Sequence, residues 1–133
     1  MGSCKKGCEN QVECLYKGLF QLEIYIRDFI EKYQGACNYI SDVYYLINEG
    51  KIIYESDQCK CDKNKLKTIY MDVGNLIQAA VENCGMAVYP ELRDIALIYN
   101  YIVDKCLPCK VKKQFPHVCE VDGANLVLDN YTY

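Results

Sequence analysis

The chain has 133 residues, ten of them cysteines, and a formal net charge of −3. This length fits one domain over residues 1–133, and the cysteine density is close to that of secreted chains held by disulfides. The charge gives no general reason to expect nucleic acid as a partner, and no apolar run approaches the roughly 18 residues of a membrane span.

The first residues, Met1–Ser3, are polar and form no signal peptide. A framework of disulfides needs an oxidising compartment. We therefore expect Met1–Ser3 to stand in place of a signal peptide that was removed, and the protein to be secreted and extracellular. The even number of cysteines predicts that all ten are oxidised.

Two helices are predicted in the first half of the chain. In each, apolar residues recur at steps of three and four, which places them on one helical face. Gly50 weakens a helix by about 1 kcal/mol, so we expect the second helix to run through it or to kink there. Asn38 is a plausible N-cap for that helix. The two apolar rows are Leu19, Leu22, Ile26, Phe29 and Tyr33, then Ile40, Val43, Tyr44 and Ile47.

Two more helices are predicted in the second half. Asp62 or Asn64 is a plausible cap for the third helix. Pro90 must lie in the first turn of the fourth helix, since proline is tolerated there. The apolar rows are Leu66, Ile69, Val73, Leu76 and Ala80, then Val88, Leu92, Ile95, Tyr99 and Ile102.

A skeleton of three cysteines and one tyrosine occurs twice, as Cys-x22-Cys-x16-Tyr-x4-Cys over residues 14–59 and again over residues 61–106. Such regularity indicates that one structural unit was duplicated. We predict an all-α fold, a disulfide-stapled helical bundle made of two repeated helical hairpins, followed by a C-terminal tail at 110–133. The structural motif residues are Cys14, Cys37, Tyr54 and Cys59 in the first copy and Cys61, Cys84, Tyr101 and Cys106 in the second.

Each predicted hairpin carries cysteines at its three corners. The simplest bridges are Cys14–Cys59, Cys61–Cys106 and Cys37–Cys84. Bridges exchanged between the two halves fit the same corners, so the sequence leaves the connectivity open.

The repeated tyrosines, Tyr54 and Tyr101, each lie five residues before a repeat cysteine. We expect both rings to be largely buried in equivalent places, against residues such as Leu19 or Leu66. Because a buried hydroxyl usually has a partner, each hydroxyl should bond a backbone carbonyl or water. The predicted role is structural.

Catalysis and metal binding have little support in the sequence. His117 is the only histidine and lies beside Pro116 in a segment that reads as a loop. Cys59-x-Cys61 and Cys106-x2-Cys109 have spacings that zinc ligands use, but most of these cysteines belong to the duplicated skeleton. We predict no catalytic residues, no cofactor and no metal.

The paired Cys-Tyr-Cys motifs, Cys37, Tyr54 and Cys59 followed by Cys84, Tyr101 and Cys106, resemble those of the bicycle proteins. These are salivary effectors of aphids, best known from gall-forming species. The resemblance covers most of the chain between Cys14 and Cys109. It implies secretion in insect saliva into plant tissue and manipulation of the host, and it implies no particular target.

Two functions follow as hypotheses. The first is a secreted, non-enzymatic effector that binds a host plant macromolecule, most plausibly a protein, and alters host development or defence. The alternative is an extracellular carrier of a small apolar ligand, which predicts a closed apolar cavity of about 300 Å³ or more. A sequon at Asn130-Tyr131-Thr132 is a potential glycosylation site in the tail.

Overall fold

The computed structural model describes residues 9–57 and 63–107, and these form four α-helices. A single π-helical turn, Val81–Gly85, continues the third helix. No β-strand occurs in these two ranges, so the predicted all-α class is confirmed. The helices are α1 (Glu9–Tyr33), α2 (Asn38–Ser56), α3 (Lys63–Ala80) and α4 (Glu91–Cys106).

The helices run alternately up and down the bundle. Each helix packs against the next one in the chain, and α4 packs against α1. The side-chain contacts show the antiparallel directions: Tyr16, early in α1, contacts Glu55 at the end of α2. At the other end of α1, Lys32 contacts Glu91 at the start of α4.

The core lies where the predicted apolar rows meet. Most members of all four rows are buried, which confirms the helical periodicity as the main determinant of the fold. Burying an aliphatic side chain of this size contributes roughly 1.5–3 kcal/mol. The largest fully buried aliphatic side chains are Leu15, Leu19, Leu22, Ile26, Ile40, Ile47, Leu66, Ile77 and Leu92.

Gly50 lies inside α2, which runs through it, one of the two outcomes expected from the sequence. A Cβ atom at this position would lie 2.9 Å from Cδ1 of Leu19 and 3.4 Å from Cγ2 of Ile69. The glycine therefore lets α2 approach α1 and α3 closely. Tight packing compensates for its low helix propensity.

The predicted cap of the second helix, Asn38, is wrong, and of the two caps predicted for the third helix Asn64 is excluded. Asn38 is the first residue of α2, and the N-cap is Cys37, whose side chain makes no capping hydrogen bond. Asn64 lies inside α3; Asp62 is outside the described residues. Because Cys37 is tied into a disulfide, the bridge fixes the start of α2 and no side-chain cap is needed.

Helix α4 begins later than its apolar row suggested. Pro90 is its N-cap, and Val88 precedes the helix with 64% of its surface exposed. Proline cannot continue a helix from the residues before it. The apolar row is therefore cut at Pro90, and Val88 belongs to the turn.

Two disulfides staple the described part of the bundle. The Cys37–Cys84 bridge, with Cα atoms 6.1 Å apart, is confirmed. The simplest expectation for the other end was wrong: Cys14 bonds Cys106, with Cα atoms 5.5 Å apart, and neither Cys14–Cys59 nor Cys61–Cys106 forms. Because α4 packs along α1, the last residue of α4 lies beside Cys14, and this bridge is one of those exchanged between halves. Cys59 and Cys61 lie outside the described residues.

The turns at the Cys37–Cys84 end differ between the two halves. The α-helical parts of α1 and α3 end at the equivalent residues Tyr33 and Ala80. After Tyr33 the chain turns through Gln34 and Gly35, with φ of 37° and 76°. After Ala80 it continues through the π-helical turn to Gly85, with φ of 86°. The superposition of the two predicted hairpins stays a prediction.

Candidate binding surface on helix α1

Three aromatic and two charged residues of α1 and α2 form a partly exposed group that we call the tyrosine seam. Its members are Tyr16, Phe20, Lys51, Tyr54 and Glu55. The rings of Tyr16 and Tyr54 stack with centroids 3.9 Å apart and planes 15° apart. Tyr16 also meets the edge of Phe20 at 5.1 Å. Phe20 remains 40% exposed, so the seam offers a large apolar side chain to solvent.

Polar contacts hold the tyrosine seam in one conformation. The hydroxyl of Tyr16 donates a hydrogen bond of 2.7 Å to Oε2 of Glu55. This bond, helped by burial and by the charge of Glu55, raises the pKa of Tyr16 to about 12. Nζ of Lys51 lies 4.2 Å from the centroid of Phe20 and 2.5 Å from Oε1 of Glu23. The Lys51 and Glu23 side chains are only 14% and 16% exposed.

On the other side of α1, between α1 and α4, a cleft of about 300 Å³ borders the Cys14–Cys106 bridge. We call it the lysine cleft. Nζ of Lys17 is 2.8 Å from Oε2 of Glu13, and this contact raises the pKa of Lys17. Nζ of Lys105 lies 5.9 Å from the centroid of Tyr101. The lining residues are Cys14, Lys17, Gly18, Gln21, Tyr101, Ile102, Lys105 and Cys106.

The structure places the repeated tyrosines on opposite sides of α1. Tyr101 lines the lysine cleft with Cys14 and Cys106, whereas Tyr54 belongs to the tyrosine seam. Both rings are half-buried and pack against the core, but their surroundings differ, so the prediction that they occupy equivalent places was wrong. The reason is that α2 and α4 pack against different sides of α1.

The buried, hydrogen-bonded tyrosines are instead Tyr70 and Tyr99, to which the repeated motif does not point. The Tyr70 hydroxyl donates to the carbonyl of Leu15 at 2.6 Å, and the Tyr99 hydroxyl donates to the carbonyl of Tyr70 at 2.6 Å. Burial raises the pKa of both phenols. A Cβ atom on Gly18 would lie 2.5 Å from the Tyr70 oxygen, so glycine leaves room for this hydroxyl.

Tyr16 and Phe20 were not predicted as site residues, although the sequence contains a signal for them. With Ile24 they form a second apolar row on α1, at steps of four, beside the buried row that contains Leu15 and Leu19. Its first member, Tyr16, packs against the core, but Phe20 and Ile24 are 40% and 61% exposed, which core packing does not require. Such an extra row indicates a surface with another use.

No group of three histidine, cysteine, aspartate or glutamate side chains in 9–57 and 63–107 could hold a metal ion. Cys106 is oxidised, so it cannot serve as a thiolate in a zinc site with Cys59, Cys61 and Cys109. His117 lies outside the described residues.

None of the helices in the described ranges has the length and apolar character that crossing a membrane requires. No protein-family model, no curated protein and no solved structure matches the chain. Its function must therefore be inferred from its own residues.

Proposed function

We propose that this protein is a secreted, non-enzymatic effector, delivered in insect saliva, that binds a plant protein and alters host development or defence. Secretion, saliva and host manipulation are what the resemblance of the paired Cys-Tyr-Cys motifs to those of bicycle proteins implies. The observation that supports protein binding is the tyrosine seam, in which the exposed Phe20 ring packs against the stacked, half-buried rings of Tyr16 and Tyr54.

The chemistry of the tyrosine seam suits a protein interface. Aromatic side chains are enriched in interface cores and dominate the binding energy of many complexes. Tyr16 and Tyr54 are stacked, and Lys51 covers one side of Phe20. A side chain that is already ordered loses less conformational freedom when it binds. The side chains of the tyrosine seam are therefore already ordered for binding a partner.

The disulfides support the proposed site of action. The Cys14–Cys106 bridge lies at one end of the bundle, and the Cys37–Cys84 bridge lies at the other. Bridges of this kind persist in oxidising surroundings such as the extracellular space. A stapled bundle would keep the tyrosine seam in shape during transfer from the insect to the plant.

The carrier hypothesis has weaker support. A carrier of an apolar ligand requires an enclosed apolar cavity, since most of the ligand must leave water. The lysine cleft has a suitable volume of about 300 Å³, but Lys17, Gln21 and Lys105 contribute to its lining. The cleft is also partly open to solvent, whereas a carrier needs an enclosed cavity, and we therefore favour the protein-binding effector.

The test is capture of plant proteins on the immobilised, oxidised protein, followed by measurement of the affinity for each captured protein. Phe20→Ala should weaken binding by about 2 kcal/mol, roughly 30-fold in Kd, if Phe20 is a central anchor. Val88→Ala is the matched control, because Val88 is more exposed, at 64%, and lies near the Cys37–Cys84 end. Circular dichroism should show equal folding of all three proteins.

Equal affinity of the wild type and Phe20→Ala for every captured protein would contradict the role of the tyrosine seam. Native mass spectrometry of protein purified from its natural source tests the carrier hypothesis separately. A bound apolar molecule, present in stoichiometric amount, would favour the carrier.

A further inference from the structure

A second surface, between α2 and α3, has a different character from the tyrosine seam. A groove of about 500 Å³ opens there to solvent, and we call it the acidic groove. Its walls come from facing residues of the two helices, and no lysine or arginine lines it. The lining residues are Asp42, Tyr45, Leu46, Asp72, Asn75 and Leu76.

The acidic groove offers apolar surface to a partner. Leu46 and Leu76 line it from opposite walls and pack against the core with their inner sides. Tyr45 is 70% exposed, the highest value among the exposed large hydrophobic side chains of the described chain. An exposed aromatic beside two leucines is the composition of an interface more than of an ordinary solvated helix face.

The carboxylates of the acidic groove differ from three glutamates elsewhere in the described ranges. Glu13, Glu23 and Glu91 each have a lysine partner. Within residues 9–57 and 63–107, Asp42 and Asp72 have neither an ion pair nor a hydrogen bond. Two carboxylates thus line the groove beside its apolar residues, and no basic side chain lines it with them.

We propose that the acidic groove docks a basic amphipathic segment of a partner protein. An aliphatic side chain of that segment would lie over Leu46 and Leu76, with lysine or arginine residues on its flanks pairing with Asp42 and Asp72. Tyr45 would cover the aliphatic side chain from one edge. Charge complementarity selects this occupant, because an acidic segment or a nucleic acid would meet two carboxylates of its own sign. This surface is separate from the tyrosine seam and does not depend on it.

The probe is a fluorescein-labelled peptide of about 15 residues, with leucine and lysine at helical spacing, a length at which a helix can form on binding. A peptide with glutamate in place of lysine is the matched control. Fluorescence anisotropy against the full, oxidised chain gives the Kd. Binding of the lysine peptide should weaken as salt rises, since the charges are exposed.

The variants Asp42→Asn and Asp72→Asn should each raise the Kd for the lysine peptide about threefold, and the double variant about tenfold, as expected for exposed ion pairs. Asp28→Asn is the matched control: Asp28 is an exposed aspartate of α1, and its replacement removes the same charge. Tyr45→Ala should weaken binding about fivefold through lost apolar contact.

Four results would overturn the proposal: absence of binding, equal binding of the glutamate peptide, an equal effect of Asp28→Asn and Asp72→Asn, or self-association of the chain that Asp72→Asn abolishes in sedimentation experiments. Such self-association would show that a second copy of this chain occupies the acidic groove. Phe20→Ala should leave peptide binding unchanged. Failure of the acidic groove and failure of the tyrosine seam are therefore distinguishable.

Discussion

Helices α2 and α4 occupy equivalent places in the two copies of the repeat, yet they are buried very differently. Helix α2 buries a narrow stripe, Ile40, Val43, Ile47 and Gly50. Helix α4 buries every residue from Ile95 to Asn100, together with three others at its two ends. A cysteine and tyrosine skeleton thus fixes the ends of a helix without fixing how much of its surface enters the core.

Residues at equivalent positions of the repeat show the same difference in burial. Tyr99 of α4 is fully buried, and its counterpart in the repeat, Ile52 of α2, is 63% exposed. Leu97 is fully buried, and its counterpart Gly50 lets two neighbouring helices approach. Helix α4 is the more deeply buried of the two, and α2 keeps exposed surface that contributes to the tyrosine seam and the acidic groove.

The largest expected effect comes from substituting the pair Tyr99 and Ile52. Tyr99→Ala should lower the free energy of unfolding by about 3–5 kcal/mol, because it leaves a large cavity and removes a buried hydrogen bond. Ile52→Ala should change it by no more than about 0.5 kcal/mol, since the side chain is exposed. Denaturant unfolding with the disulfides intact measures both. Similar losses at the two positions would contradict the difference in burial between α2 and α4.

Much of the core could be predicted from the sequence because helical periodicity is local. Most members of the rows through Leu19, Leu66 and Leu92 are buried as predicted. The Cys14–Cys106 bridge could not be predicted from among the possible pairings, because it depends on α4 packing beside α1. No local sequence pattern indicates that packing. The Asn38 cap failed for a related reason, since the turn at Cys37 is fixed by a distant cysteine.

The candidate surfaces were less predictable than the core. The motif pointed to Tyr54 but gave it a buried, structural role, because sequence spacing does not say which neighbour a ring meets. Its partner Tyr16 belongs to a second apolar row that a wider count of apolar positions on α1 could have found. The acidic groove pairs residues of α2 and α3 far apart in the sequence, and only the packing of these helices brings them together.

A smaller effect is expected where α1 meets α3. Gly18→Ala should cost about 1–3 kcal/mol, because the new methyl group would crowd the Tyr70 oxygen and Cγ2 of Ile102, each 2.5 Å from its position. Tyr70→Phe alone should cost about 1 kcal/mol for the lost hydrogen bond. The loss of unfolding free energy in the double variant should be smaller than the sum of the two single losses, since removing the hydroxyl relieves part of the crowding. Full additivity in the unfolding experiments would show that Gly18 does not accommodate this hydroxyl.

The contact between α1 and α4 should respond to acid. Lys32 and the Tyr33 hydroxyl both donate to the Glu91 carboxylate, and these bonds lower the pKa of Glu91 to about 2. Because the pKa is lower in the folded than in the unfolded chain, the stabilisation is present above about pH 4.3 and is lost as the pH falls toward 2. Glu91→Gln should therefore be less stable than the wild type at pH 7, with a difference that shrinks below pH 4. A difference that is constant from pH 7 to pH 2 would contradict this assignment.

The contact between α1 and α2 should respond to alkali instead. The bond to Glu55 raises the pKa of Tyr16 to about 12, so Tyr16 keeps its proton longer in the folded chain. Its stabilising effect is complete below about pH 10 and is lost as the pH rises toward 12. Tyr16→Phe and the wild type should therefore converge in stability at high pH, and the change should be smaller than that caused by Glu91→Gln. If the stabilities of the wild type and Tyr16→Phe differ by the same amount at every pH up to 12, deprotonation of Tyr16 does not cause the loss of stability in alkali.

Hydroxyl-radical footprinting of the protein, alone and in complex with a plant protein that it captures, tests the division between scaffold and recognition surface most directly. We expect Tyr70 and Tyr99 to resist modification in both states, because both are fully buried. Tyr16, Phe20 and Tyr54 should be modified in the free protein and protected in the complex. Modification of Tyr99 in the free protein, or a tyrosine seam that remains as reactive in the complex as before, would contradict the account.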